Sequence, residues 1–389
     1  MRAVLSSARA DRTSWHLLGL LWVMGVDLRL PILAVPPLLA LIHRDLGLSE
    51  TVVGVLTGLP VFLLAVAAIL GSLLIARMSA VRAAAVGLLL VGVASALRGI
   101  GPSPVMLLAM TFLMGIGIAV TQPAMPALVS QWFATRVGVA TAVYANGILV
   151  GEVLASALTL PLVLPLVGGS WEWSFVVWAI PVLLTVPVLG VVPTSPPVVG
   201  TSPRRWWPDW RGTATLRLGL TLGGASAAYF GSNAFIPEFL RATGRSDLIG
   251  PCLTALNAGQ LPASVLVACL SSRMIGKREP LVASGILILA GLAVFLVLPG
   301  AGIMLGTAII GFCTAQIFVL TLAIPPMLVE AHDVHRLSAG MLAVAYACSF
   351  TFPLVAGAAW DATHLPITAF LTVAAGSVTA ATAAAGLLR

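Results

Sequence analysis

Apolar residues run along the chain in long blocks, each closed by a short cluster of Gly, Pro, Ser or charged residues. Twelve blocks can be drawn, near 15–42, 51–76, 82–100, 104–132, 136–165, 172–193, 215–241, 248–272, 280–299, 302–329, 336–360 and 366–388. A helix rises ~1.5 Å per residue, so such blocks span a hydrocarbon core of ~30 Å. The pattern predicts an all-α membrane protein of twelve transmembrane helices. The widest polar interval, Thr194 to Ala214, splits the blocks six and six. The expected organisation is a bundle over 1–193, a linker over 194–214 and a second bundle over 215–389.

The first block, Trp15 to Ile42, is the most informative. Asp27 and Arg29 sit near its middle, where an ionisable group costs roughly 2.5–3.5 kcal/mol even on the lenient insertion scale. Both are therefore expected to face protein or a wet cavity. Pro31 denies the Asp27 carbonyl its helical donor, and Pro36 and Pro37 do the same to Ile32 and Leu33. An interrupted helix with charge at mid-depth is the sequence mark of a solute site in a membrane protein.

Composition agrees. The chain has 389 residues, 59% hydrophobic and only 8% charged, against about 25% charged in soluble domains. The net charge of +7 would suggest nucleic acid in a soluble protein; here the positives sit in short loops as orientation signals. Cys252, Cys269, Cys313 and Cys348 lie in or beside apolar blocks without zinc-type pairing, and free buried thiols are expected. The N-terminal arginines before an apolar run superficially resemble a signal peptide. The run is too long, carries Asp27 and Arg29 and lacks a small-residue cleavage site, so a retained helix is expected.

With a cytoplasmic N-terminus, the inner segments hold Arg2, Arg9, Arg12, Arg77, Arg82, Arg136, Arg204, Arg205, Arg211, Arg217, Arg273, Lys277, Arg278, Arg336 and Arg389. The outer ones hold Arg44, Arg98, Arg241 and Arg245, a balance of 15 to 4. The positive-inside rule then puts both termini in the cytoplasm. The linker mixes Pro196, Pro197, Pro203, Arg204, Arg205 and Arg211 with Trp206, Trp207 and Trp210, and its tryptophans are expected at the headgroup level rather than on nucleic acid.

The halves echo each other. Pro126 and Pro326 are 200 residues apart, as are Arg136 and Arg336. Each proline is expected to end a helix and each arginine to open the next. Val35-Pro36-Pro37 parallels Ala234-Phe235-Ile236-Pro237, Ser49-Glu50 before Gly54 parallels Ser246-Asp247 before Gly250, and Arg77-Met78 parallels Arg273-Met274. A half-chain repeat predicts two like bundles with a solute path between them.

Twelve spans in two similar halves around a polar loop resemble the major facilitator superfamily. Its loop between helices 2 and 3 carries a pattern of Gly, Leu, Asp, Gly and basic residues. Gly71 to Arg82 matches its glycine, leucine and basic ends, with Ile75 at the acid and Ser79 at the second glycine; Arg273 to Arg278 is closer. Two stretches resemble the cyanate and 2-nitroimidazole transporter branch: Asp27-Leu28-Arg29-Leu30-Pro31 through Pro37-Leu38-Leu39, and Gly115-Ile116-Gly117-Ile118 with Gln122, Met125-Pro126 and Phe133. Asp27 stands where that branch has asparagine, and Pro31 is one place later. The resemblance implies alternating access by two bundles related by a pseudo-two-fold along the membrane normal. It also implies a cavity lined by helices 1, 4, 7 and 10, with 2, 5, 8 and 11 beside them.

Arg29 is the leading substrate-binding candidate, because guanidinium stays charged and offers a planar fork of donors to a small anion. The alternative is a structural pair with Asp27 or Glu152. Asp27 and Glu152 are the candidate proton-coupling residues. Asp27 stands roughly 200° round a regular helix from Arg29, so the two cannot face each other directly; the structural alternative is a hydrogen bond between helices 1 and 5 or 1 and 11. Glu152 lies beside Gly147 and Gly151, small residues that allow close helix contact, and reads as a counter-charge to Arg29 or as a proton carrier.

Gln122, Asn146, Tyr229, Asn233, Asn257, Gln260, Gln316 and Tyr346, with Tyr144, are uncharged polar groups inside apolar blocks. They are candidate substrate contacts or interhelical hydrogen bonds, with Gln122 and Asn233 preferred for their depth. Glu238 and Arg241 are expected to pair at the outer rim, and His332 and His335 beside Asp333 to be solvated loop residues. Gly115-x-Gly117 is packing, and no phosphate-binding Gly-rich loop with Lys and Ser/Thr occurs.

These readings converge on an expectation: a monomeric secondary transporter of the inner membrane, not an enzyme, without cofactor or metal. It would carry a small anionic or polar planar solute such as cyanate or a nitroimidazole, coupled to protons. A proton-driven multidrug exporter of the same fold, with Arg29 only a counter-ion, is the alternative. A membrane-embedded enzyme would need a nucleophile, base or metal cluster at one depth, and a sensor would normally carry a soluble output domain; neither is found.

Overall fold

A bilayer core offers backbone polar groups no partner, so each apolar block closes its own hydrogen bonds as a helix. The computed structural model describes residues 2–48, 50–100, 103–192 and 205–387, and for 2–14, 50, 51, 53, 54 and 57 only the course of the backbone. Residues 194–204 of the expected linker, Ser49 and Arg389 lie outside the described residues, as do the side chains of Arg2, Arg9, Arg12 and Glu50.

All described elements are helical. We label the long helical units α1 (Trp15–Leu46), α2 (Glu50–Met78), α3 (Ala80–Leu97), α4 (Pro104–Trp132), α5 (Val137–Leu166) and α6 (Trp171–Val191). The others are α7 (Thr213–Ala242), α8 (Ser246–Cys269), α9 (Glu279–Val297), α10 (Ala301–Leu328), α11 (Val334–Thr363) and α12 (Pro366–Ala385). Eleven of them are long and apolar enough to cross a membrane; α7 has the length, at 30 residues, but carries more Thr, Gly and Ser.

The chain divides into two compact units, Met1–Trp207 with Val329–Arg336, and Pro208–Leu328 with Leu337–Arg389. Each is knitted by glycines that bring helix backbones together, the packing that lipid favours because apolar burial gives no advantage there. In the first unit, a Cβ on Gly147 would stand 2.2 Å from the Trp22 carbonyl oxygen, and one on Gly25 2.3 Å from that of Tyr144, so α1 and α5 touch backbone to backbone. Gly71 seats α2 on α4, Gly87 and Gly117 join α3 to α4, and Gly92 meets Leu183 of α6. The second unit repeats the scheme. Gly219 and Gly223 seat α7 on α11, Gly259 and Gly311 join α8 to α10, Gly291 and Gly306 join α9 to α10, and Gly285 meets Ala381 of α12. The internal repeat thus extends from motifs to helix pairing.

Several expectations are corrected. Pro126 does not end a helix; it lies inside α4 with Pro123, tolerated because neighbouring helices bury that stretch. Pro326 sits in the separate turn Pro325–Leu328 that closes α10. Arg136 does precede α5 as its N-cap, whereas Arg336 is already inside α11. All four cysteines are free, but Cys269 is exposed on its helix. His335 is buried rather than solvated, since α11 begins at Val334, before it. Glu238 and Arg241 form the expected exposed ion pair.

The turn between α2 and α3 forces Ser79 to φ +115°, and the turn between α8 and α9 holds Gly276 at φ +78°. Glycine adopts such values freely and serine does not. The second loop therefore follows the superfamily pattern where the first departs from it.

Candidate functional site

The first span is regular only to Asp27. Pro31 has no N–H to give the Asp27 carbonyl. The backbone tightens instead, with Arg29 N–H on the Val26 carbonyl at 3.0 Å, and restarts as the short turns Leu30–Leu33 and Val35–Leu46. Arg29, at φ −113°, caps the new start. Gly47, at φ +57°, closes the span with its N–H on the His43 carbonyl. An apolar shell of Leu30, Ala34, Val35, Leu38, Phe175 and Trp178 surrounds the break.

Along the seam with α5, polar groups pair in register. Trp22 Nε1 donates to Asn146 Oδ1 at 3.0 Å. About two turns further, Arg29 Nε stands 3.2 Å from Glu152 Oε1. The glycines between these rungs let the two backbones approach, and so put a guanidinium and a carboxylate within reach of each other. Their side chains keep 8% and 13% of their surface accessible, whereas Asp27 keeps none. The pair thus keeps a slight accessibility at its edges, with the Arg29 Nε itself buried, whereas Asp27 is fully enclosed.

Asp27 and Arg29 point apart, as the helical angle requires. Asp27 is buried near Thr185 of α6, whose hydroxyl donates to the Pro181 carbonyl at 3.1 Å, and neither Asp27 carboxyl oxygen has a hydrogen-bond partner among the described residues. The structure thus brings Glu152, not Asp27, to Arg29. Gln122 is buried in α4 and Tyr144 in α5.

In the second unit four predicted residues meet across α7 and α8. Tyr229 Oη donates to Asn257 Oδ1 at 2.6 Å, Asn257 Nδ2 donates to Asn233 Oδ1 at 3.3 Å, and Gln260 Nε2 donates to Asn257 Oδ1 at 3.3 Å. Asn257 Nδ2 also holds the Leu253 carbonyl at 2.8 Å, just before α8 breaks at Gly259. Gln316 and Tyr346 are buried in α10 and α11. The preferred pair is split between the units, Gln122 in the first and Asn233 in the second. Among the described residues no group of three His, Cys, Asp or Glu could hold a metal ion.

Sequence reasoning missed Arg98. Placed in an outer loop by its position at a span end, it is fully buried. One Nη2 donates to the Pro31 carbonyl at 2.8 Å and to Ser95 Oγ at 3.0 Å, and its Cζ lies 4.2 Å over the Phe175 ring. No sequence signal pointed to this contact: the Pro31 carbonyl that Arg98 holds is not one of the carbonyls, those of Asp27, Ile32 and Leu33, that the prolines deprive of helical donors.

Comparison with known proteins fits this architecture. The chain is 27% identical to the cyanate transport protein CynX of Escherichia coli over 356 residues, covering 88% of each. Among solved structures, the Escherichia coli fucose:proton symporter FucP superposes with a TM-score of 0.72 at 14% identity, covering 96% of this chain and 98% of that one. The human organic anion transporter MFSD10 gives a TM-score of 0.75 at 14% identity over 96% and 98%; at such identities both speak for the fold alone. The Major Facilitator Superfamily model matches residues 18–332. With its helices, its internal repeat and this match in agreement, the chain belongs to the major facilitator superfamily.

Proposed function

We propose that this transporter carries a small anionic or polar planar solute, of the cyanate or nitroimidazole type, together with a proton, and that Arg29 and Glu152 perform the coupling. The observation that carries the reading is the 3.2 Å pair at the break in α1. A small anion offers Arg29 what Glu152 now offers, a negative charge at hydrogen-bonding distance. It can take that place only if Glu152 leaves. A carboxylate that loses its counter-charge away from water is held better neutral than charged. Binding one anion therefore draws in one proton, and the loaded site carries no added charge across the membrane.

Similarity to a cyanate transport protein supports a linear or planar monoanion as the solute. The remaining polar candidates, Gln122, Asn146, Tyr229, Asn233, Asn257, Gln260, Gln316 and Tyr346, supply orienting hydrogen bonds in this reading. The transporter works as a monomer in the inner membrane with both termini cytoplasmic, residues 194–214 forming the cytoplasmic linker between its two six-helix bundles. The excess of Arg and Lys in alternate loops supports that orientation.

The test is uptake of labelled cyanate into proteoliposomes of the purified protein, with and without an inward proton gradient. Gradient-driven accumulation that is lost in Arg29→Ala is expected. Transport that survives Arg29→Ala would favour an exporter of neutral or cationic solutes, with Arg29 only a counter-ion. Flux indifferent to the gradient would remove the coupling.

A further inference from the structure

We infer that Arg98 is a positioning residue that fixes the break in α1 and thereby sets where Arg29 stands. The inference deepens the proposed role of Arg29 but stands on separate contacts. Pro31 is two residues past Arg29, in the segment that the proline frees from regular helix bonding. A backbone carbonyl there is held by the Arg98 Nη2 at 2.8 Å. Arg98 is itself fixed three ways: its backbone caps α3 with N–H on the Ala94 carbonyl at 3.1 Å, Ser95 accepts from the same Nη2, and the Phe175 face covers the guanidinium.

A buried guanidinium is costly and is kept only where its donors are used. Here Nε and Nη1 find no acceptor among the described residues, so the hold on Pro31 and Ser95 is what this charge does. The contact reaches α1 from Arg98 at the end of α3, backed by Phe175 of α6, whereas Glu152 comes from α5. Arg29 is thus gripped by α5 through its side chain and by α3 and α6 through its neighbouring backbone. Movement of the Pro31 carbonyl would carry the Arg29 Cα with it and change the distance to Glu152.

Hydrogen exchange of the solute-free protein in nanodiscs, read beside cyanate uptake, tests this. In Arg98→Ala, exchange of the amides from Leu28 to Val35 should rise about tenfold or more, the scale of a lost charge-assisted hydrogen bond, with α4 and the rest of α3 unchanged. The KM for cyanate should rise by a similar factor while Vmax holds within about twofold. Arg98→Lys, which keeps a donor for the carbonyl, should restore most of both. Should Arg98→Ala fail to fold, Phe175→Leu loosens the same side chain and should give the same local pattern more weakly. Wild-type exchange over Leu28 to Val35 in these variants, or an increase spread evenly through the bundle, would overturn the inference. If wild-type protein does not transport cyanate, the reading of Arg29 fails while the exchange result still decides the clamp.

Discussion

Replacing Glu152 with Gln keeps the volume of the side chain and removes the charge that competes with the solute. At 3.2 Å, two unit charges attract by about 5 kcal/mol at an effective dielectric of about 20. A neutral amide oxygen retains part of that as a hydrogen bond to a charged group, about 1.5–3 kcal/mol. The difference, about 2–3.5 kcal/mol, no longer opposes the anion, so Glu152→Gln should bind cyanate roughly 30- to 400-fold more tightly. The same change removes the group proposed to take up the proton. If Glu152 is the proton site, as proposed, cyanate binding to wild-type protein should tighten as pH falls, while the Gln variant should be flat over the same range. Equilibrium binding to the purified protein gives the affinities, and counterflow against net uptake in proteoliposomes gives the coupling. The variant should exchange cyanate across the membrane and fail to accumulate it on a proton gradient. Unchanged affinity together with intact accumulation would refute the reasoning.

Other consequences follow from the same contacts. Asp27→Asn should keep gradient-driven uptake, because Arg29 pairs with Glu152 while Asp27 is fully enclosed; accumulation lost in that variant would move the proton site. Gly147→Val puts a branched side chain where even a Cβ would meet the Trp22 carbonyl, and should lower thermal stability by about 3 kcal/mol or more in a melting assay. Ser79→Gly relieves the φ of +115° and should raise stability by about 1 kcal/mol. Asn257→Ala removes the hub that joins Tyr229, Asn233 and Gln260, and should raise the KM for cyanate about three- to tenfold without altering its dependence on the proton gradient.

The scaffold was legible in the sequence because lipid imposes a simple rule. Blocks of apolar residues must be helices, and their ends need only punctuation. The break in α1 was legible too, since three prolines leave three carbonyls without donors. Less legible was which neighbour answers each buried group. The angle between Asp27 and Arg29 separates them but does not say that one meets α6 and the other α5. Gly147 and Gly151 marked the close helix contact, and that contact is what delivers Glu152 to Arg29. Arg98 was misread because a basic residue at a span end ordinarily reaches water. Only the fold shows a carbonyl and an aromatic face waiting for it instead. Pro126 misled for the opposite reason: proline usually stops a helix, but a helix packed on all sides carries it.

The most direct measurement of the central claim is proton uptake on solute binding. Cyanate is added to weakly buffered, purified protein with a pH-indicating dye, and bound solute is counted in parallel. Exchange of Glu152 for the anion on Arg29 predicts close to one proton taken up per cyanate bound, and none in Glu152→Gln. Cyanate binding with no proton uptake in wild type, or uptake that persists in Glu152→Gln, would contradict it.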